Sequence, residues 1–242
     1  MLGNGATTYH ALNAKVRVLR SRLLSPQDLS MLARSDTPAA LCARLSRYGT
    51  YAGITPPHFH AVLAQSLATD WDKLRPFIPR AHKVAPVVLD APLTQPVSAP
   101  PETTWAFVKS LPQGPNRAAL VAIKGAEMDL CNIIWSYRMA RAGITPRFPH
   151  LIPAGYHFDT AARLRLADGN LAAELRASPY AATLSLGKTT QPEHAANQFL
   201  GRVAARAARR FPQSMAYTYH YFFNKRNEIR HLTALWEPLC NS

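Results

Sequence analysis

The sequence predicts an all-α fold, and three observations carry the prediction. Apolar residues recur at three- and four-residue spacing along most of the chain, the periodicity of one helix face. Helix-start signatures punctuate that pattern, with a hydroxyl residue before a proline at Ser25-Pro26 and again at Thr37-Pro38. Apolar–polar alternation is nowhere sustained, and the best stretch for a strand, Ala181 to Leu186, is short.

The elements follow in order. From about Tyr9 to Leu24, residues Leu12, Val16, Leu19 and Leu23 recur at helical spacing, while Lys15, Arg17, Arg20 and Arg22 decorate the rest. Ser25 then supplies a capping oxygen and Pro26 a first helical residue with no amide to satisfy, opening a helix that holds Met31 and Leu32. Asp36-Thr37-Pro38 opens another, leading through Leu41, Leu45 and Tyr48 to Gly49. A longer helix from about His58 to Phe77 carries Phe59, Val62, Leu63, Leu67, Trp71 and Leu74, and Pro76 and Pro79 terminate it.

Between Ala85 and Pro115 the character changes. Pro86, Pro92, Pro96, Pro100, Pro101, Pro112 and Pro115 exclude a long regular helix and leave room for one short element around Thr103 to Ser110. Helical spacing resumes over about Arg117–Ala142, Phe158–Ala167, Leu171–Ala177, Glu193–Phe211 and Ser214–Leu235. The expected organisation is an N-terminal helical unit at 1–84, a proline-rich connector at 85–116 and a C-terminal helical unit at 117–242.

With 242 residues, 48% of them hydrophobic, the chain can bury a sizeable core. No apolar run reaches the roughly 18–20 residues a membrane span needs, and Met1 to His10 lacks the pattern of a signal peptide. The expectation is a cytoplasmic protein. Cys42, Cys131 and Cys240 are odd in number and widely spaced, which supports neither a disulfide framework nor a zinc knuckle. The formal charge of +14 favours polyanions or an acidic partner without saying anything about fold.

Two stretches resemble each other in the two halves. Lys124-x-x-Glu127-Met128 with Trp135 matches Lys225-x-x-Glu228-Ile229 with Trp236 at a constant offset of 101. Leu41-x3-Leu45 running to Tyr51 likewise matches Leu171-x3-Leu175 running to Tyr180, and the helices ending at Pro79 and Pro212 correspond. Occurring in the same order, these echoes suggest a helical unit used about twice.

Candidate chemistry is thin. Ala182 to Thr189 satisfies a relaxed phosphate-loop pattern, but Pro179 precedes it, Pro192 follows it, and no strand or acidic magnesium partner accompanies it. His58 and His60 diverge at a helix start and have no third ligand nearby. The carboxylate pairs Asp70/Asp72 and Glu127/Asp129 lack an acid–base partner. The expectation is no catalytic residue, no cofactor and no metal.

The most specific segment is Tyr217 to Leu232, an aromatic helix running into Lys225-x-x-Glu228-Ile229-Arg230-x-Leu232. It resembles the closing helix of the central-stalk C-type (also called d-type) subunits of V/A-type rotary ATPases. Asp129-x-x-Asn132-Ile133 with Arg138, the turn Leu151-Ile152-Pro153-Ala154-Gly155 and the opening Val16 to Leu24 are similar to other motifs of that family. The resemblance covers most of the chain outside the connector. It implies a funnel-like array of helical units, normally three; two are discernible here. It also implies a non-catalytic central-stalk subunit at the cytoplasmic face of the membrane. There it would meet rotor-shaft subunits of the D and F type and the proteolipid ring, and link ATP turnover to proton or sodium transport.

The residues themselves allow a plainer account. Ile229 and Leu232 share a helix face with Leu235 or Trp236, and Glu228 can reach Lys225 in a surface ion pair. Asn132 is expected to be buried and hydrogen-bonded between helices. Arg202, Arg206 and Arg209, with Arg210, form a basic stripe. The candidate partner-facing charges are therefore Arg202, Arg206, Arg209, Lys225, Glu228 and Arg230. The stripe suits an acidic stalk or anionic headgroups, solubilising charge, or the phosphates of a nucleic acid. The alternative function is accordingly a basic helical nucleic-acid-binding protein.

Overall fold

The computed structural model describes residues 5–78, 101–144, 151–152, 155–181 and 192–241, and among these every regular element is helical. The fold is all-α. The helices are α1 (Gly5–Arg20), α2 (Pro26–Leu32), α3 (Pro38–Leu45), α4 (Phe59–Leu74), α5 (Pro101–Ser110), α6 (Pro115–Arg141), α7 (Thr160–Ala167), α8 (Leu171–Arg176), α9 (Pro192–Arg210) and α10 (Ala216–Cys240).

The expected starts are built as the sequence implies. Ser25 Oγ accepts from the Asp28 amide at 3.1 Å while Asp28 Oδ2 accepts from the Ser25 amide at 2.8 Å, a reciprocal capping box ahead of α2. Thr37 caps α3 through the Ala40 amide at 3.1 Å. Ends differ more. The first helix stops at Arg20 rather than Leu24, because the chain tightens through turns at Ser21 to Leu23. The α-helix proper ends at Leu74, ahead of Pro76, and a 3₁₀ turn over Arg75–Phe77 carries the chain to the expected end at Phe77. The last helix runs past Leu235 to Cys240 through Pro238, where a proline so near the end costs only one of the final hydrogen bonds. Pro79, the connector prolines from Pro86 to Pro100 and the segment 182–189 lie outside the described residues; α5 is the short element expected near Thr103.

The chain groups into two compact units, Met1–His82 with Tyr221–Ser242, and Lys83–His220. Residues 221–242, which the sequence assigned to the C-terminal unit, group here with the first. The reason is visible in the first unit's core. Leu32, Leu41, Leu45, Tyr51, Phe59 and Leu63 pack with Leu232 and Trp236, and the Trp236 ring stacks on Phe59 at 4.1 Å. In the second unit α6 is buried on every side from Ile123 to Ile134. The alanine-rich face of α9, with Ala196, Leu200, Ala204, Ala207 and Ala208, packs against it. Small side chains there allow close approach of the two backbones. Because α6 is enclosed, its polar residues must find partners inside the protein.

Candidate partner interface

Two of the six charges expected to face a partner lie in the interior. Lys225 is 1% exposed and Glu228 5%, where the sequence had suggested a surface pair. Their pairing is i, i+3 on α10, at 2.8 Å from Lys225 Nζ to Glu228 Oε1. Lys225 Nζ also donates to Tyr51 Oη at 2.6 Å, lying 4.3 Å from the centroid of that ring, and Tyr51 donates to Glu228 Oε1. The Leu24 amide donates to Glu228 Oε2 at 2.5 Å. These charges close the first unit and lie out of reach of an outside ligand.

The echo in the other half has the same chemistry. Lys124 and Glu127, both fully buried on α6, pair at 2.7 Å, and the ammonium lies 5.2 Å from the Tyr219 ring centroid. Two residues on, Asp129 collects the amides of Tyr156, His157 and Phe158 at 3.2, 2.7 and 3.2 Å and the Tyr180 hydroxyl at 2.7 Å. Burial pushes the Asp129 pKa up, against the downward pull of those four donors. Burial, then the Asp129 charge, raises Tyr180 in turn. Phe158 immediately precedes the cap residue of α7, as Leu24 precedes the cap residue of α2. Each long helix thus offers a carboxylate to the entry of a short helix and to the tyrosine after the next one. The match by offset fails at two places: the carboxylate that meets the helix entry and the tyrosine on α6 is Asp129, not Glu127, the counterpart of Glu228, and Trp236 is buried, whereas Trp135 is 39% exposed.

Asn132 is buried as expected, but its partner is a loop rather than a helix. Its amide donates to Ile152 O at 3.1 Å and its carbonyl accepts from Ile152 N at 2.7 Å. Asp70 is also internal, accepting from the Tyr221 hydroxyl at 2.5 Å. His60 packs edge-on to Phe59 and Trp236. No group of three His, Cys, Asp or Glu among the described residues is placed to hold a metal ion.

Of the remaining four candidates, three are fully on the surface. Arg202, Arg206 and Arg209 are exposed, with Arg210 beside them. At about 100° per residue they span an arc of roughly 100°, opposite the alanine face of α9. The Arg202 and Arg210 guanidinium groups lie 5.7 and 5.3 Å from the rings of Phe199 and Phe211. No Asp or Glu occurs between Glu193 and Glu228, so the stripe has no acidic neighbour along its own helix beyond the first turn. Arg230 is half-buried, and burial followed by the nearby Arg226 charge lowers its pKa.

The tyrosine contacts were the part hidden from sequence reading. Their one signal was the recurrence of Tyr51 and Tyr180 after matched helices, which showed likeness but not what the hydroxyls bind.

The sequence profile of one protein family, described as ATP synthase (C/AC39) subunit, matches residues 12–89 and 102–238. No curated protein sequence matches the chain.

Proposed function

The chain belongs to the ATP synthase (C/AC39) subunit family, whose members are subunits of V/A-type ATPases, and from that premise we propose that it is a non-catalytic coupling subunit. In this reading it sits at the cytoplasmic face of the membrane between the D- and F-type shaft subunits and the proteolipid ring. Torque passes through it, so that ATP turnover elsewhere in the complex is linked to proton or sodium translocation.

The family match carries the reading, because it spans both helices that hold a buried Lys-x-x-Glu pair. The physical character of those helices supports it. Densely packed interiors transmit strain instead of absorbing it, and the internal charges are tied to distant segments. No helix among the described residues is long and apolar enough to cross a membrane, in keeping with a peripheral subunit. Arg202, Arg206, Arg209 and Arg230 are the side chains assigned to partners, meeting acidic protein surface or anionic headgroups; Lys225 and Glu228 act by holding the first unit together.

The test is affinity purification of the tagged full chain from membranes, with ATP hydrolysis and ion pumping assayed in its presence and absence. Recovery of shaft and ring subunits is expected, and loss of the chain should abolish pumping while hydrolysis by the catalytic head persists. Recovery without any ATPase subunit, together with steeply salt-dependent RNA or DNA binding, would overturn the proposal.

A further inference from the structure

Met31, Leu32, Arg34, Arg44, Arg47 and Tyr48 line a cleft of about 470 Å³ in the first unit. Two short helices make it. The turn after α2 presents Arg34, and the end of α3 presents Arg44, Arg47 and Tyr48. Arg44 Nη1 donates to Met31 O at 2.9 Å, which satisfies a carbonyl in the last turn of α2 and fixes one wall.

The charges of this cleft are one-sided. None of the ion pairs among the described residues involves Arg34, Arg44 or Arg47. Asp28 is held by the Ser25 hydroxyl at 2.6 Å and the Tyr48 hydroxyl at 2.7 Å. Asp36 is exposed but does not line the cleft. Beside the guanidinium groups lies an apolar patch, where Met31 leaves 51% of its surface in water over the buried Leu32. Methionine adapts its shape to what it meets, and arginine forks bind carboxylates in two-point fashion.

We propose that this cleft docks an acidic peptide segment of a partner protein. An apolar side chain of the segment rests on Met31 and Tyr48, and flanking Asp or Glu side chains pair with Arg34, Arg44 and Arg47. A free phosphate or a lipid headgroup would engage the arginines but leave the methionine in water, so the combined lining favours peptide. The cleft lies on other elements than the α9 stripe, and the inference stands whether or not the coupling role does.

The test uses the full chain and a labelled peptide of about twelve residues with glutamates flanking a leucine–phenylalanine pair. Saturable binding is expected, weakened roughly tenfold by the double charge reversal Arg34→Glu/Arg47→Glu. Met31→Ser should weaken it a few-fold. Arg34, Arg47 and Met31 are exposed, so these variants leave the core residues Leu41 and Leu45 in place. The equal charge reversal Arg202→Glu/Arg206→Glu on α9 should leave binding unchanged. The inference is overturned if wild type shows no saturable binding, if the α9 variant loses as much, or if a glutamine version of the peptide binds as well. Displacement of the peptide by inorganic phosphate or by phosphatidylglycerol vesicles at matched anion concentration would overturn it too, assigning the cleft to an anion or to the membrane.

Discussion

The hydroxyl of Tyr51 donates to the Glu228 carboxylate across 177 residues of sequence and accepts in turn from the Lys225 ammonium. A buried pair of this kind adds little over an apolar replacement of both partners, but removing one partner strands the other charge. Glu228→Gln should therefore cost about 3–5 kcal/mol, and Tyr51→Phe about 1.5–3 kcal/mol for the loss of a hydroxyl that bonds both charged groups. Glu174→Gln, which breaks the more exposed pair with Arg165, should cost about 0–1 kcal/mol. Urea unfolding of the three variants checks the order.

Burial raises the pKa of four tyrosines, Tyr9, Tyr51, Tyr180 and Tyr221, with nearby carboxylates adding to the effect at the last three. An unfolded tyrosine ionises near pH 10, so above that pH the unfolded chain sheds protons that the folded chain keeps. Their contribution is intact below pH about 10 and is lost as pH rises from there toward the folded values, at about 1.4 kcal/mol per pH unit for each tyrosine. In an alkaline titration the phenolate absorbance of these four should appear only with loss of helical circular dichroism. Ionisation of all nine tyrosines before unfolding would contradict this.

Loop 155–158 reaches Asp129 only because glycine stands at both ends of the approach. A Cβ on Gly155 would fall 2.0 Å from Asp129 Oδ1, and one on Gly125 would fall 2.5 Å from Tyr156 Cβ. Gly155→Ala and Gly125→Ala should each destabilise by about 1–3 kcal/mol through overpacking, and should speed amide exchange at Tyr156, His157 and Phe158. Gly49→Ala meets nothing within 4 Å and is the control.

The all-α class was legible in the sequence because helical periodicity and cap chemistry are local. Ser25-Pro26 and Thr37-Pro38 name their own helix starts, and the structure uses both. The helix ends were less legible, since Leu24 leaves α1 to give its amide to Glu228, a residue no local window contains. The echo of Lys124-x-x-Glu127 in Lys225-x-x-Glu228 was visible as letters, yet spacing alone does not distinguish an exposed ion pair from an enclosed one. What decides is the tyrosine and the backbone brought in from elsewhere. The arginine stripe of α9 could be read, because the face opposite it is alanine and the helix carries no acid beyond Glu193 in its first turn.

The two tryptophans at the same offset make a contrast that packing alone should set. Trp236→Ala removes a ring stacked on Phe59 inside the first core and should cost about 3–5 kcal/mol, with Leu232→Ala at about 2–5 kcal/mol. Trp135→Ala, at a site 39% exposed, should cost less than about 1.5 kcal/mol. Thermal unfolding followed by circular dichroism orders the three. Equal losses at Trp135 and Trp236 would mean that the exposed ring is covered in solution.

The stripe on α9 gives a prediction in which stability and assembly move apart. Arg202/Arg206 and Arg206/Arg210 are like charges four residues apart, each pair unfavourable by about 0.2–0.5 kcal/mol on a helix. Removing three of these charges with Arg202→Gln/Arg206→Gln/Arg209→Gln relieves that repulsion, while the alanine face against α6 is untouched. The isolated chain should melt at the same temperature or slightly higher. If the stripe meets an acidic or anionic partner, the variant should leave the purified complex at a lower salt concentration, because fewer exposed charges remain to outlast screening over a Debye length of about 8–10 Å. Salt-step elution of wild type and variant from the same membranes, with melting curves of both chains, separates the roles. An unchanged elution point would reduce the stripe to solubilising charge, and a lowered melting temperature would assign it to the fold.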